Sequence, residues 1–133
     1  MKIKTSELTG KVLDWAVAKC EGYDLQLDDE VSGAWLIPQH GYLHDEKPLS
    51  RYTPSTGWSQ GGPIIEREFI ELRNQTSFSG GWEAWKWSDE KQDYTIIGKR
   101  GAYCPTPLIA AMRCYVASKL GDEVYVTDEL MET

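Results

Sequence analysis

Apolar and polar positions alternate with more than one period along this chain. The densest apolar run lies between Leu108 and Leu120, where only Arg113 and Lys119 are charged. Thr106 stands where a helix cap belongs, Pro107 fits the first helical position, and Gly121 fits just past the end. A helix that is apolar nearly all round must be covered on more than one side. The pattern therefore predicts a central, buried C-terminal helix.

A second helical stripe opens the chain. Leu8, Val12, Trp15, Ala16 and Lys19 share one face between about Ser6 and Glu21, and Gly22 closes the segment. Alternation from Tyr23 to Leu27 predicts a short strand, Asp28 to Glu30 an acidic turn, and Val31 to Ile37 a short helix or strand. From Pro38 to Pro63 the density of Pro and Gly predicts mostly loop. Ile64 to Leu72, Trp82 to Trp87 and Asp93 to Ile97 then read as three sequential strands in an antiparallel meander. Val124 to Val126 reads as an edge strand before a frayed end. This order predicts an α+β fold: an antiparallel sheet of about three to five strands packed with the N-terminal helix and the buried C-terminal one, as in an α-β-α sandwich. Residues 1–127 are expected to form a single domain and 128–133 an acidic tail.

Charge narrows the partners. The formal net charge is −7, and five of the surplus acids lie within residues 122–133, which hold no base. The remaining body has no basic stripe of the kind that phosphate neutralisation needs, so direct nucleic-acid binding is not expected. No apolar run reaches the length of a membrane span. Cys20, Cys104 and Cys114 form no CxxC pair and no disulfide framework, which fits a reducing cytosol. Six tryptophans and seven tyrosines must serve a core, an interface or a ligand.

Arg113 is the most informative single residue. Its neighbours one turn away are Ile109, Ala110, Val116 and Ala117, and a guanidinium cannot shed its charge. The sequence predicts an ion pair with an internal acid, Asp14 being the first partner to test, or a head group snorkelling to the helix edge, or else contact with an anionic ligand. The stretch Tyr52 to Pro63 supplies candidate ligand groups: stacking faces from Tyr52 and Trp58, hydrogen-bonding groups from Ser55, Ser59 and Gln60, and close backbone approach at Gly61 and Gly62. It lacks the lysine of a Walker loop and is read as leading into a strand. The helix start at Thr106 offers free amides and a positive dipole end, about 10 Å from Arg113 along the axis. Together these residues define an expected anion pocket.

Other chemistry is less well supported. His40 and His44 are four apart, but Pro38 and Gly41 deny them a shared helical face, so no metal site is expected, even with Asp45 or Glu46 beside them. No cofactor is expected. Glu66 and Glu68 would share a strand face, and Cys104 sits beside a helix start, but neither has an assembled catalytic set around it. Trp82, Trp85 and Trp87 suit core or interface packing better than base stacking on so acidic a chain.

Four blocks carry a resemblance. Thr5 to Gly10 with Leu13 to Ala18, Trp58 to Glu68, Trp82 to Ala84, and Thr106 to Arg113 resemble, in that order, the NinX family of small bacteriophage and prophage proteins. The likeness runs from near residue 3 to near residue 127. The last block is also similar, more weakly, to the closing helix of small phage α-β-α sandwich domains. The resemblance implies a phage accessory protein acting in the host cytoplasm. A small residue usually stands in the family where Cys104 stands here, which argues against Cys104 as a shared nucleophile. The expected function is non-enzymatic binding of a small anionic, nucleotide-like ligand or a host factor, with a counter-defence role in view. The alternatives are a homo-oligomeric interaction module using the surplus tryptophans, and a metal- or cysteine-dependent hydrolase.

Overall fold

In the computed structural model, α3 (Pro107–Leu120) runs through the middle of an α+β fold and is buried from Ala110 to Ala117. The description covers residues 1–28, 33–39, 45–74, 81–99 and 103–132. His40, Gly41, His44 and most of the expected acidic turn lie outside the described residues. Thr106 caps α3 through its Oγ1, which accepts the Ile109 amide at 3.1 Å. Burial on every side is why neither a polar stripe nor a charge pattern marks this helix.

The other elements wrap α3. In chain order they are β1 (Lys2–Lys4), α1 (Gly10–Cys20), β2 (Tyr23–Asp28), β3 (Gly33–Pro38), β4 (Lys47–Pro48), α2 (Trp58–Glu68), β5 (Glu71–Asn74), β6 (Trp82–Ser88) and β7 (Asp93–Ile97). After α3 come β8 (Glu123–Tyr125) and α4 (Asp128–Glu132). The strands form three small antiparallel sheets, β1-β8, β2-β3-β4 and β5-β6-β7. The third is the expected meander; Ala84 and Ile97 turn inward from it into the core shared with α3.

Three expectations need correction. Ile64 to Leu72 is not one strand: Trp58–Glu68 is helical, and β5 begins only at Glu71. The β-forming residues suggested a strand, but Gly61, Ile64, Ile65 and Glu68 recur at the helical spacing and form the inward face. Gly61 makes this possible, since a Cβ there would run into the Pro54 carbonyl oxygen and Leu108 Cδ2. The Gly-rich stretch therefore leads into a helix.

The N-terminal helix starts later than expected, at Gly10. Thr5–Glu7 forms a separate 3-10 turn because the Thr5 amide and hydroxyl donate to Asp122 and Gly121 carbonyls at 2.8 and 2.6 Å. The acidic end is also more ordered than a frayed tail: Leu130 on α4 is 1% exposed and joins the core. The edge strand near Val124 is present, pairing Val124 with Ile3.

Candidate functional site

Arg113 is buried as expected, at 6% exposure, but its partners are not acids. Its Nε donates to the Leu8 carbonyl at 2.7 Å, and its Nη1 donates to the Tyr103 carbonyl at 3.1 Å and to Cys104 Sγ at 3.3 Å. Among the described residues no carboxylate forms an ion pair with it. Carbonyl dipoles take the place of a counter-ion, and the guanidinium fastens the N-terminal segment and the approach to α3 onto α3 itself.

Asp14, the acid proposed as its partner, is committed elsewhere. It is 5% exposed and its Oδ1 accepts the Ser55 amide at 2.9 Å. Burial raises its carboxyl above the ordinary range, and the adjacent Ser55 hydroxyl and amide oppose that rise.

The rest of the expected pocket divides between structural roles and open surface. Gln60 accepts the Thr53 amide at 2.8 Å and donates to the Arg51 carbonyl at 3.0 Å, latching the turn before α2. Gly61 lies under that turn, and Thr106 caps its own helix. A Cβ on Gly62 would meet nothing closer than Trp58 Cε3 at 3.9 Å. Trp58 and Ser59 stand exposed on the first turn of α2. Tyr52 is buried, with its ring 6.1 Å from that of Tyr23 and the Lys47 ammonium 5.6 and 5.1 Å from the two rings.

Tyr23 leads to a feature the sequence did not single out. A recess of about 280 Å³ opens between α1 and β2, lined by Trp15, Lys19, Tyr23, Asp24, Leu25, Leu27 and Thr127. Trp15 and Lys19 meet because they are four apart on α1, and the Lys19 ammonium lies 5.6 Å from the Trp15 ring. Asp24 supplies a carboxylate whose Oδ1 accepts Gln39 Nε2 at 2.8 Å. The recess thus combines one cation, one acceptor and an apolar wall. Its signal was present as the i, i+4 pair facing the alternating strand after Gly22, but both halves read as ordinary core.

The acidic and thiol candidates are tied up. Glu66 and Glu68 lie on a helix, so two-residue spacing does not give them a shared face. Burial works against ionised Glu68, but the Arg67 hydrogen bond and the Lys86 charge outweigh it and hold the carboxyl below its usual range. Arg67 also grips Glu21 through both oxygens, at 2.9 and 2.6 Å, and the Tyr115 hydroxyl donates to Glu21 at 2.6 Å. Cys104 is buried against Arg113. Burial pushes the Cys20 and Cys114 thiols up to about 12, so both stay protonated at neutral pH. Among the described residues no helix is long and apolar enough to cross a membrane.

A family model matches residues 4–119 and defines the class: a small bacteriophage accessory protein. That family is Bacteriophage P22, NinX, and the chain belongs to it. No curated protein sequence matches the chain.

Proposed function

We propose that this phage protein is a non-enzymatic binder of a small, nucleotide-like anion, and that the recess between α1 and β2 is where the ligand sits. The observation that carries this reading is the placing of Lys19 and Asp24 on one apolar recess beside Trp15 and Tyr23. Lys19 would take the ligand's phosphate or carboxylate, and Asp24 would accept from an exocyclic amine. The flat part would lie against Tyr23, Leu25 and Leu27. A site with one donor, one acceptor and an apolar wall selects by orientation as well as charge. Tyr52, named among the sequence candidates, backs Tyr23 from behind. Action in the host cytoplasm and interference with a host defence belong to this proposal; membership of a phage family supports them.

The test is titration calorimetry with a panel of nucleoside mono-, di- and cyclic phosphates, repeated on Lys19→Glu. Saturable binding by at least one member is expected, with affinity reduced by about tenfold or more in the variant, equivalent to about 1.4 kcal/mol. Absence of binding across the panel, or equal affinity in the variant, overturns the reading.

A further inference from the structure

The sheet β5-β6-β7 has one covered face and one open face. Leu72, Ala84 and Ile97 turn toward α3, whereas Trp85, Trp87, Tyr94 and Ile96 turn outward. The outward aromatics form one cluster: the Tyr94 ring lies 5.4 Å from Trp85 and 5.0 Å from Trp87, both edge-to-face. Trp87 is 42% exposed and Tyr94 46%. Phe69 adjoins the start of β5, is 89% exposed, and holds a left-handed backbone at φ 53. Such a conformation is unfavourable for a bulky side chain, and full exposure of that ring adds a second cost.

The charges around this cluster are sorted along the strands. At the Trp82 end the cations are Arg73, 4.3 Å from the Trp85 ring, and Lys99, 5.4 Å from it, set against the single carboxylate of Glu83. Glu71, midway, is paired with Arg73 at 3.1 Å. At the Ser88 end the hairpin carries Asp89 and Glu90 against Lys91 alone, whereas Asp93, paired with Ser88, belongs to the other face. A two-fold axis lying in the plane of the face and crossing β6 reverses the strand direction of a second copy. It then brings Arg73 and Lys99 of one copy toward Asp89 of the other, twice, Asp89 being held beside the open face by the Trp87 Nε1–H at 2.8 Å, while the aromatics meet in the middle. One patch satisfying itself in this way is what an isologous dimer requires.

We infer that this open sheet face is a self-association surface whose partner is a second copy of the chain, stacked with its strands antiparallel. Its size sets the strength. Seven residues of β6 span about 23 Å and three strands about 14 Å, a footprint of about 300 Å². Two such faces bury about 600 Å² in all, well below what a stable dimer needs, so the dimer is weak, transient and concentration-dependent.

Sedimentation velocity from about 10 µM to about 1 mM, a range that spans weak interfaces, tests the inference. The expected result is a reversible monomer–dimer equilibrium. The double variant Trp87→Ser/Tyr94→Ser should weaken it about tenfold or more with an unchanged circular dichroism spectrum. Lys99→Glu alone and Asp89→Lys alone should each be largely monomeric, whereas their equimolar mixture should recover dimer, because each copy then meets its opposite charge. A chain that stays monomeric throughout overturns the inference and leaves the face to a different protein. A dimer insensitive to the aromatic substitutions places the contact elsewhere. A mixture that fails to recover dimer rules out the antiparallel stacking. Nucleotide binding at Lys19 is read separately, so neither result decides the other.

Discussion

The Nε–H of Arg113 meets the carbonyl oxygen of Leu8 at 2.7 Å across 105 positions of sequence. A permanent charge thus stands inside the protein on carbonyl dipoles. Breaking it leaves buried acceptors without donors, and that penalty exceeds the worth of the bond itself.

Arg113→Met is therefore expected to destabilise the protein by about 2–4 kcal/mol in urea unfolding, since the Leu8 and Tyr103 carbonyls lose their donor. Arg113→Lys should lose nearly as much, because one ammonium cannot reproduce the directions of the guanidinium fork. A variant within about 0.5 kcal/mol of the parent counts against this role.

Adjacent glycines in α2 should respond with opposite sign. Gly61→Ala forces a Cβ against the Pro54 backbone and Leu108, and overpacking of this kind costs about 1–3 kcal/mol. Gly62→Ala meets only ordinary contact with Trp58 and should gain up to about 1 kcal/mol from helix propensity. Paired thermal melts check both, and equal effects would argue against the tight α2 packing.

Asp14 should leave a signature in the pH dependence of stability. Its folded carboxyl titrates above the ordinary value of 3.8, because burial penalises the charge. The folded state then binds more protons than the unfolded one between those two values. Stability from this group therefore falls as pH rises through that window and stays reduced above it. Asp14→Asn removes the effect, and its amide oxygen can still accept the Ser55 amide. Melting temperatures at pH 4 and pH 7 should show the variant gaining on the parent as pH rises; a constant difference contradicts the assignment.

Much of the architecture was legible in the chain. The α3 boundaries follow from Thr106, Pro107 and Gly121, and β6 and β7 follow from alternation, because punctuation and period are local properties. α2 was obscured because two glycines, a proline and two isoleucines all speak against a helix. Only the packing of Gly61 on Pro54 and Leu108, a tertiary contact, shows why they sit in one. Arg113 was legible as buried and in need of partners, but not as served by backbone carbonyls, since every residue offers one. The recess was not legible: it depends on how β2 folds back along α1, and each of its residues has an ordinary reading alone.

The pairing of β1 with β8 has a consequence for synthesis. Lys2, Ile3 and Lys4 find their partners in Tyr125, Val124 and Glu123 respectively, and the amino group of Met1 donates to the Val126 carbonyl at 2.8 Å. Because β1 is made well before β8, it must remain unpaired until β8 has been translated, so this sheet closes only after most of the described fold has left the ribosome.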